Sequence, residues 1–535
     1  MKKIIIFRQF GSSPGVEQNI KQKYEGSKFE IITGFSFSPS KVINSFKKIR
    51  QKHDALFFLL LPPINIFKKI MLIPLLLLSP AKEKILYEGD VNVPTNAKFF
   101  AVTILLFLPA LILNFFIFLF YLLYLGVFSV LLRKPPQVRQ DKPGELGSVA
   151  CLYPQFYLIF ERIGGHVAHV KGVIKELKGF GYDPFVISAG DIEGVDVNYQ
   201  IFSPVLRNYM TLHIARMFYG IYLVFKALPV IKRKKPAFVY QRHEQFNMTG
   251  VVLSFFTGIP VIIEANAILA EEARKSGQGH GMLKLLYLSE MVTFRAAHRI
   301  LAISSSLKRD MATAGLDVSK IFVAPNGVDV EIFHPGCGGD KIRKKYGLEN
   351  KVIAGFCGTF AVWHGLETLE VMAHEVLSQC ENAACLFIGD GPGKEGMENK
   401  LRQKAYGDRA VFTGRIPHSE VPAHLDACDV LVSAIGGAYS YASPTKLFEY
   451  MAMKKPVVCY NMGQMPDIFE DNKTGRLVEN NNKEAFASAV IELINNPEVR
   501  VKIGENARAE AERNYTWKAN VRKILDNYRD IFNCK

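Results

Sequence analysis

The chain has 535 residues, 49% hydrophobic and 22% charged, which excludes a disordered or fibrous protein and predicts about three domains. Its eight cysteines, none before Cys151 and none in a CxxC pair, exclude a disulfide-stapled secreted scaffold and the standard zinc modules. The net charge of +16 leaves nucleic acid, an anionic membrane surface and phosphorylated substrates open as partners.

The first 98 residues form a basic region, with 16 Lys and Arg against 7 Asp and Glu. Their only early apolar stretch, IIIF before Arg8, is too short for a signal peptide. Short apolar runs between amphipathic stretches predict a small α/β unit. The predicted strands are residues 4–7, 29–33, 55–61 and 84–90.

Residues 99–132 contain no charge. This run is longer than the ~20 apolar residues of an upright transmembrane helix, and Pro109 lies inside it. Two interpretations remain: one tilted span with an interfacial extension, or a helix–break–helix hairpin that enters and leaves on one side. Because basic residues lie on both flanks, we favour the hairpin, with both flanks in the cytoplasm.

After a polar segment at residues 135–147, twelve short apolar runs alternate with helical patterns. Such runs are typical of parallel strands buried on both faces, and two sets of six predict two doubly wound domains that face a cleft. The predicted strands are residues 149–153, 184–188, 237–241, 260–265, 299–304 and 320–325, then 352–358, 384–389, 410–414, 429–434, 456–460 and 475–479.

These patterns predict five regions in chain order: a basic α/β region, a membrane segment, two doubly wound domains and a C-terminal helix that packs back on the first of those two domains. Their bounds are residues 1–98, 99–132, 146–335, 336–516 and 517–535. An apolar helix at residues 210–228, followed by four basic residues, is expected either in the lipid headgroup plane or in a protein core.

The string SPTKLFEYMA at residues 443–452 places Lys446 and Glu449 in the first turns of a predicted helix. A helix N-terminus suits a diphosphate, Lys446 adds positive charge, and Glu449 can accept hydrogen bonds from a ribose. An ordinary helix capped by Ser443 is the alternative. Glycines also follow several predicted strands, where an open α/β sheet admits ligands: Gly358, Gly389, Gly391 and Gly414.

Residues 149–532 resemble the family 4 glycosyltransferases, which have the two-domain GT-B fold. The resemblance rests on GGHVAH, EANAILAEE, AISSSLK, PNGVD, GTFAVWHG, GDGP, FTGRI and SPTKLFEYMA followed by KKPVV. It implies an enzyme that moves a sugar from a nucleotide-diphospho-sugar to an acceptor, with retention of the anomeric configuration and with no metal or other cofactor. Residues 1–98 are not assigned to the family.

The resemblance also implies the site residues. The expected catalytic residues are Lys446, Glu449 and His169. Donor binding is expected from Gly358, Thr359, His364, Gly389, Gly391, Arg415, Ser443, Thr445, Lys446 and Glu449. Acceptor or sugar contacts are expected from Gly164, Gly165, Glu264 and Asn266.

The sequence departs from the family pattern at several of these places. Tyr441 stands where the family's Glu-x7-Glu motif has its first Glu, and Pro444 removes one backbone N–H from the phosphate turn. Thr359 and His364 stand where the family often has Arg and Lys. His364 either replaces that Lys on the diphosphate or only caps a helix.

In the expected mechanism, Lys446, backbone N–H groups near Gly358 and the helix dipole at Thr445 stabilise the leaving diphosphate. The leaving phosphate itself would help to deprotonate the acceptor. The hydrophobic run further predicts a membrane-bound acceptor, such as a lipid-linked glycan, and catalytic domains in the cytoplasm. The alternatives are a nucleotide-sugar epimerase of the same fold, or a catalytically degenerate membrane-anchored partner protein; nucleic-acid binding is not expected.

Overall fold

The computed structural model describes residues 3–8, 14–33, 45, 54–60, 65–81, 83–88, 91–93, 97–139, 147–155, 165–192, 194–275, 281–404, 406–435 and 445–533. The chain forms two compact units. The first comprises Met1–Val127 and Pro204–Ile221, and the second comprises Phe128–Ser203 and Tyr222–Lys535.

The first unit contains a five-stranded sheet with the spatial order β2-β1-β3-β4-β5. Its strands are β1 (Lys3–Arg8), β2 (Lys28–Thr33), β3 (Ala55–Leu60), β4 (Glu83–Glu88) and β5 (Val91–Val93). The strands are parallel except that β5 runs antiparallel to β4. All four predicted strands are present, and β5 was missed because a three-residue strand carries too little pattern.

Both faces of this sheet are covered. Ile5 and Phe7 enter one hydrophobic cluster, and Ile4 and Ile6 enter another. Since side chains alternate along a strand, the continuous apolar run of β1 fills both layers. The described residues of this α/β part also include the helices α1 (Pro14–Lys23) and α2 (Ile66–Leu78).

The charge-free run forms one continuous helix, α3 (Ala97–Leu131), with Pro109 inside it. The hairpin that we favoured from the sequence is therefore wrong, because it required a break that the helix does not contain. At 1.5 Å per residue, its 35 residues extend about 50 Å, more than the ~30 Å hydrocarbon core of a bilayer. Large apolar side chains remain exposed along it, from Leu105 (74%) to Leu131 (48%).

The second unit contains two parallel sheets. The first has the order β12-β11-β10-β9-β6-β7-β8 and the second has the order β15-β14-β13-β16-β17-β18. In each sheet the first strand lies near the middle, the next two strands are added on one side of it, and the later strands are added on the other side, as in doubly wound folds. The predicted fold class is confirmed, and all twelve predicted strands are present.

The bounds of these strands differ from the prediction by one to two residues at most ends. The first sheet contains β6 (Ser148–Tyr153), β7 (Asp183–Ser188), β8 (Asn198–Ile201), β9 (Phe238–Arg242), β10 (Val261–Ala265), β11 (Arg299–Ala302) and β12 (Ile321–Val323). The second contains β13 (Val352–Cys357), β14 (Ala383–Ile388), β15 (Ala410–Gly414), β16 (Val430–Ser433), β17 (Val457–Tyr460) and β18 (Arg476–Val478). Strand β8 was missed because this edge strand has no buried residue and so no apolar run.

Helices join the strands throughout. They are α4 (Gly165–Gly179), α5 (Leu212–Lys234), α6 (Thr249–Thr257), α7 (Leu269–Lys275), α8 (Leu283–Ala296), α9 (Ser305–Thr313), α10 (Gly339–Tyr346), α11 (Leu366–Gln379), α12 (Lys394–Arg402), α13 (Val421–Asp426), α14 (Thr445–Ala452), α15 (Met465–Ile468), α16 (Lys483–Asn495), α17 (Pro497–Asn514) and α18 (Trp517–Asn533). The most apolar window of α5 is 61% buried, as expected for a core helix rather than one lying in the headgroup plane.

The last helix, α18, contacts the first of these two sheets. The Tyr528 ring lies 4.6 Å from the ring of Phe238 in β9, and the Trp517 indole covers Gly172 of α4. Val328 N–H donates to Tyr515 O over 2.8 Å, so the two chain segments that connect the sheets lie side by side. This pairing brings α18 back from the second sheet to the first.

We predict that Gly172→Ala destabilises the protein by about 1–3 kcal/mol, because a Cβ there would lie 2.3 Å from the Trp517 ring. Chemical denaturation followed by tryptophan fluorescence measures the effect. The control is Gly396→Ala, also inside a helix, where a Cβ would meet nothing within 4 Å and where alanine favours the helix. Equal stability of the two variants would contradict this packing.

Candidate functional site

The nucleotide site expected from the sequence lies at the point where the second sheet reverses its strand order, between β13 and β16. Ligands of open α/β sheets bind at such points, beside the carboxyl ends of the strands. Gly365, in the loop after β13, has φ +66°, and a Cβ on it would lie 2.1 Å from Ala434 O, just after β16. Only glycine permits this conformation and this close approach of the two loops.

Lys446, in the first turn of α14, points toward the end of β13. Its Nζ lies 3.5 Å from both ring nitrogens of His364 and 5.4 Å from the centre of the Phe356 ring. Burial lowers the pKa of Lys446 to about 8. Burial, and then the nearby Lys446 charge, lower the pKa of His364 to about 3. His364 is therefore neutral at physiological pH, and Lys446 supplies the positive charge of this pair.

Glu449 lies one turn further along α14. Burial raises the pKa of its carboxyl to about 7, although the Lys446 charge opposes the shift. Tyr450, the next residue, anchors the helix to the sheet: its hydroxyl accepts from Cys357 N–H at 2.9 Å and donates to Cys357 O at 3.2 Å. The end of β13 thus determines where Lys446 and Glu449 are placed.

The strand-end glycines act as spacers rather than as free donors. Gly358 N–H donates to Ile388 O at 2.9 Å and Gly389 N–H donates to Gly414 O at 3.1 Å. Gly391 N–H donates to the Asp390 carboxylate at 2.9 Å. Gly358 itself is therefore not a free donor in this structure, and the role of the neighbouring N–H groups toward a diphosphate stays a prediction. A Cβ at Gly358 would come within 2.5 Å of Lys446 Nζ, so this glycine leaves room for the cation.

The other residues predicted to bind the donor are spread over several elements around the second sheet. Thr359 and Arg415 are exposed, and Arg415 follows the edge strand β15, two strands from β13. Thr445 is the first residue of α14. Ser443, Tyr441, Pro444 and Gly164 lie outside the described residues, and Gly165 begins α4.

Two of the predicted acceptor-side residues, Glu264 and Asn266, lie with the predicted catalytic His169 at the carboxyl end of β10. Glu264 of β10 is fully buried, and its carboxylate lies 3.0 Å from His169 Nε2 of α4. Asn266 donates to Glu264 from 2.8 Å, and the Tyr240 hydroxyl donates to it as well. The structure therefore joins His169, Glu264 and Asn266 in one polar cluster.

The Glu264 carboxylate of this cluster stays ionised, although burial by itself would favour its protonated form. Burial raises the pKa of Glu264, but the charge and hydrogen bond of His169, the Arg242 charge and the Tyr240 hydrogen bond outweigh it and lower the pKa to about 2. Arg242 Nε lies 3.8 Å from the carboxylate. His169 Nδ1 is buried, has no hydrogen-bond partner among the described residues and lies beside the Trp517 ring. One nitrogen of His169 is thus held by Glu264, and the other has no partner among the described residues.

The sequence did not identify Tyr240 and Arg242. Tyr240 and Arg242 are two residues apart in β9, so their side chains lie on the same face of the strand. Arg242 pairs directly with Glu264 of β10, which brings this face of β9 to the carboxylate. A second buried pair was also missed: His243 Nε2 lies 3.0 Å from Glu290, whose carboxylate accepts the N–H groups of Leu269 and Ala270. The sequence showed β9 as an apolar run at residues 237–241, but it did not show how the residues of β9 pair with those of β10.

Within the part of the chain that the structure describes, no group of three or more His, Cys, Asp or Glu side chains could hold a metal ion. The geometry offers two polar centres at the carboxyl edges of two sheets. One carries a lysine and a readily protonated carboxyl, and the other carries a histidine held by a buried carboxylate.

Comparisons with known proteins agree with this architecture. Residues 163–332 match the model described as Glycosyltransferase Family 4, and residues 339–510 match Glycosyl transferases group 1; together these cover more than half of the chain. The structure of Anabaena HepE in complex with UDP aligns with a TM-score of 0.57 and 17% identity, covering 71% of this chain and 98% of that one.

Two curated relatives illustrate the sequence similarity. Alpha-maltose-1-phosphate synthase of Mycolicibacterium smegmatis is 24% identical over 57% of this chain and 82% of its own length. GDP-mannose-dependent alpha-(1-6)-phosphatidylinositol monomannoside mannosyltransferase of Mycobacterium tuberculosis is 25% identical over 42% of this chain and 60% of its own length. The chain spans between 49% and 82% of the curated relatives that it matches. The chain belongs to the family 4 glycosyltransferases, with the GT-B fold.

Proposed function

We propose that this protein is a membrane-associated, retaining glycosyltransferase that moves a sugar from a nucleotide-diphospho-sugar to a lipid-linked acceptor. The observation that carries the proposal is the position of Lys446 and Glu449 in the first turns of α14, beside the strand-order reversal of the second sheet. A cation and a carboxylate at a helix N-terminus suit the diphosphate and the ribose of such a donor.

In this proposal, Lys446 and the N-terminal dipole of α14 neutralise the charge that develops on the leaving diphosphate. Glu449 accepts hydrogen bonds from the ribose hydroxyls. A bound diphosphate would favour the protonated form of Lys446, whose pKa of about 8 in the free protein lies close to physiological pH. The leaving phosphate takes the acceptor proton, as the family resemblance implies.

The polar cluster of His169, Glu264 and Asn266 would face the sugar or the acceptor. Glu264 holds His169 by Nε2, which leaves Nδ1 to form a hydrogen bond with a sugar hydroxyl. His169 itself, Arg242 and Tyr240 keep Glu264 ionised, so the ion pair that orients His169 is formed before a ligand arrives. In this proposal, Lys446 contacts the diphosphate of the donor and His169 contacts the sugar.

The acceptor class is inferred from α3 and from the relatives. The charge-free helix and its exposed apolar side chains suit a lipid environment. One relative is named for a phosphatidylinositol monomannoside, a lipid. The basic flank at Arg133 and Lys134 favours catalytic domains on the cytoplasmic side.

Lys446→Ala should reduce kcat/KM for the donor at least tenfold, about 1.4 kcal/mol of transition-state stabilisation, because its ammonium supplies the positive charge beside His364 at the start of α14. A screen of nucleotide sugars in membrane fractions, reading released nucleoside diphosphate, identifies the donor and measures the rate. The control is Lys473→Ala, whose ammonium lies 2.7 Å from Glu470 at the surface. Wild-type kinetics in a folded Lys446→Ala variant would refute the assignment.

The pH profile of kcat/KM should rise through about pH 7, as Glu449 ionises, and fall above about pH 8, as Lys446 loses its proton. Glu449→Gln should abolish the acidic limb, and Lys446→Arg should move the alkaline limb beyond pH 9. Initial rates at low donor concentration between pH 5.5 and 9.5 measure both limbs. An unchanged acidic limb in Glu449→Gln would assign that ionisation to another group.

The full chain should stay with the membrane pellet after alkaline carbonate extraction, because α3 exposes apolar side chains along its whole length. Replacing Phe116 and Leu119, both exposed on α3, by Lys should increase the extracted fraction, since a charge near the bilayer centre costs ~3 kcal/mol on insertion scales. The control pair is exposed Val499→Lys and Val501→Lys in α17. Full release of the wild-type chain would show that α3 does not hold it in the membrane.

A further inference from the structure

The first unit contains a groove of about 670 Å³, within the roughly 300–1,000 Å³ typical of ligand pockets. It is formed by α3, by Phe67 of α2 and by the first turn of α5. The lining residues are Phe67, Leu111, Ile112, Asn114, Phe115, Phe116, Phe118, Thr211 and Ile214. None of them belongs to either predicted catalytic centre.

Two asparagines hold the walls of this groove in place. Asn114, 6% exposed on α3, donates to Tyr209 O at 2.7 Å and accepts from Thr211 N–H at 3.0 Å. Asn65 caps α2 by accepting from Lys68 N–H at 3.0 Å and donates to Met210 O at 2.7 Å. The segment before α5 is therefore fixed to both α2 and α3, and the shape of the groove is built into the fold.

The surface of the groove is almost wholly apolar. The second N–H of the Asn114 amide donates to Ala110 O at 2.6 Å, so this side chain is fully engaged. The Thr211 carbonyl accepts from Ala215 N–H at 2.8 Å. A polar ligand would lose its hydration here without compensation, whereas a hydrocarbon would bury apolar surface at a gain of ~0.8 kcal/mol per methylene.

The position of the groove along α3 points to the same class of ligand. Its α3 residues, numbers 111–118, lie at the middle of the charge-free run of residues 99–132. In a membrane-spanning helix this is the depth of the lipid tails, far from headgroups and water. Phe115 and Phe116 are 58% and 62% exposed, so the groove opens toward that layer.

We propose that this groove binds the polyprenyl chain of the lipid-linked acceptor. The inference rests on the proposed function and extends it to a groove that is lined mostly by residues outside the family models. Four phenylalanine rings offer flat, polarisable walls to the methyl-branched alkene units of such a chain. The fixed walls would hold one chain, whereas the smooth outer face of α3 contacts bulk phospholipid.

The test is photolabelling of the full-length protein in nanodiscs of phosphatidylethanolamine and phosphatidylglycerol. The probe is a long-chain polyprenyl phosphate with a diazirine at the end of its chain, added in trace amounts. We expect labelled peptides from residues 107–118, competition by unlabelled polyprenyl phosphate, and no competition by added phosphatidylglycerol. Equal competition by the phospholipid would overturn the proposal in favour of an ordinary acyl chain.

Matched variants separate the groove from the rest of the helix. Ile112→Trp and Leu111→Trp, at lining positions that are each 48% exposed, should fill the groove and reduce labelling at least fivefold. Leu123→Trp, 64% exposed on the same helix but outside the lining, should leave it unchanged. Equal labelling of all three variants would refute the groove as the binding site.

The labelling requires neither donor nor turnover, so its failure is distinguishable from failure of the proposed function. If the donor screen shows no transfer but labelling is specific, the groove binds a polyprenyl chain and the proposed reaction is wrong. If transfer to lipid occurs and labelling is not confined to residues 107–118, the reaction stands and the groove assignment is wrong. Nucleoside diphosphate release without acceptor should be the same in all variants, which verifies that the catalytic domains are folded.

Discussion

The burial of parallel strands on both faces is the constraint on which the other features depend. The central strands of the second unit, such as β10 and β14, are almost wholly buried, so charged groups are tolerated there only where they are paired. Polar chemistry is consequently confined to strand ends and to the helices that begin beside them. Glu264, Arg242 and Lys446 all occupy such positions, and the two candidate centres follow from this confinement.

The same constraint gives two buried glutamates opposite behaviour. Glu264 is ionised because a histidine, an arginine and a tyrosine surround its carboxylate. Glu449 faces one nearby cation, and burial keeps its pKa near 7. A carboxylate with several partners can hold its neighbours rigidly, whereas one that titrates near neutrality can respond to a ligand. The difference suits a positioning role for Glu264 and a binding role for Glu449.

The first unit differs from the second in the apolar side chains that it leaves exposed. Its sheet is an ordinary buried α/β layer, but α3 exposes leucine and phenylalanine side chains that would be unfavourable in water. The polar atoms of Asn65 and Asn114 satisfy backbone groups instead of facing the apolar surface. This arrangement combines a fixed protein shape with an almost wholly apolar lining, which suits recognition of a hydrocarbon.

The sequence by itself determined the fold class, twelve of the thirteen strands in the two doubly wound sheets, the family, and the placement of Lys446 and Glu449 at a helix start. These are local signals: apolar runs, glycines and short motifs. Only the tertiary structure decided that Tyr240 and Arg242 reach Glu264, that Gly358 N–H is already bonded, and that α3 runs unbroken through Pro109. Register, hydrogen-bond partners and helix continuity depend on residues far apart in the chain, and no local pattern encodes those contacts.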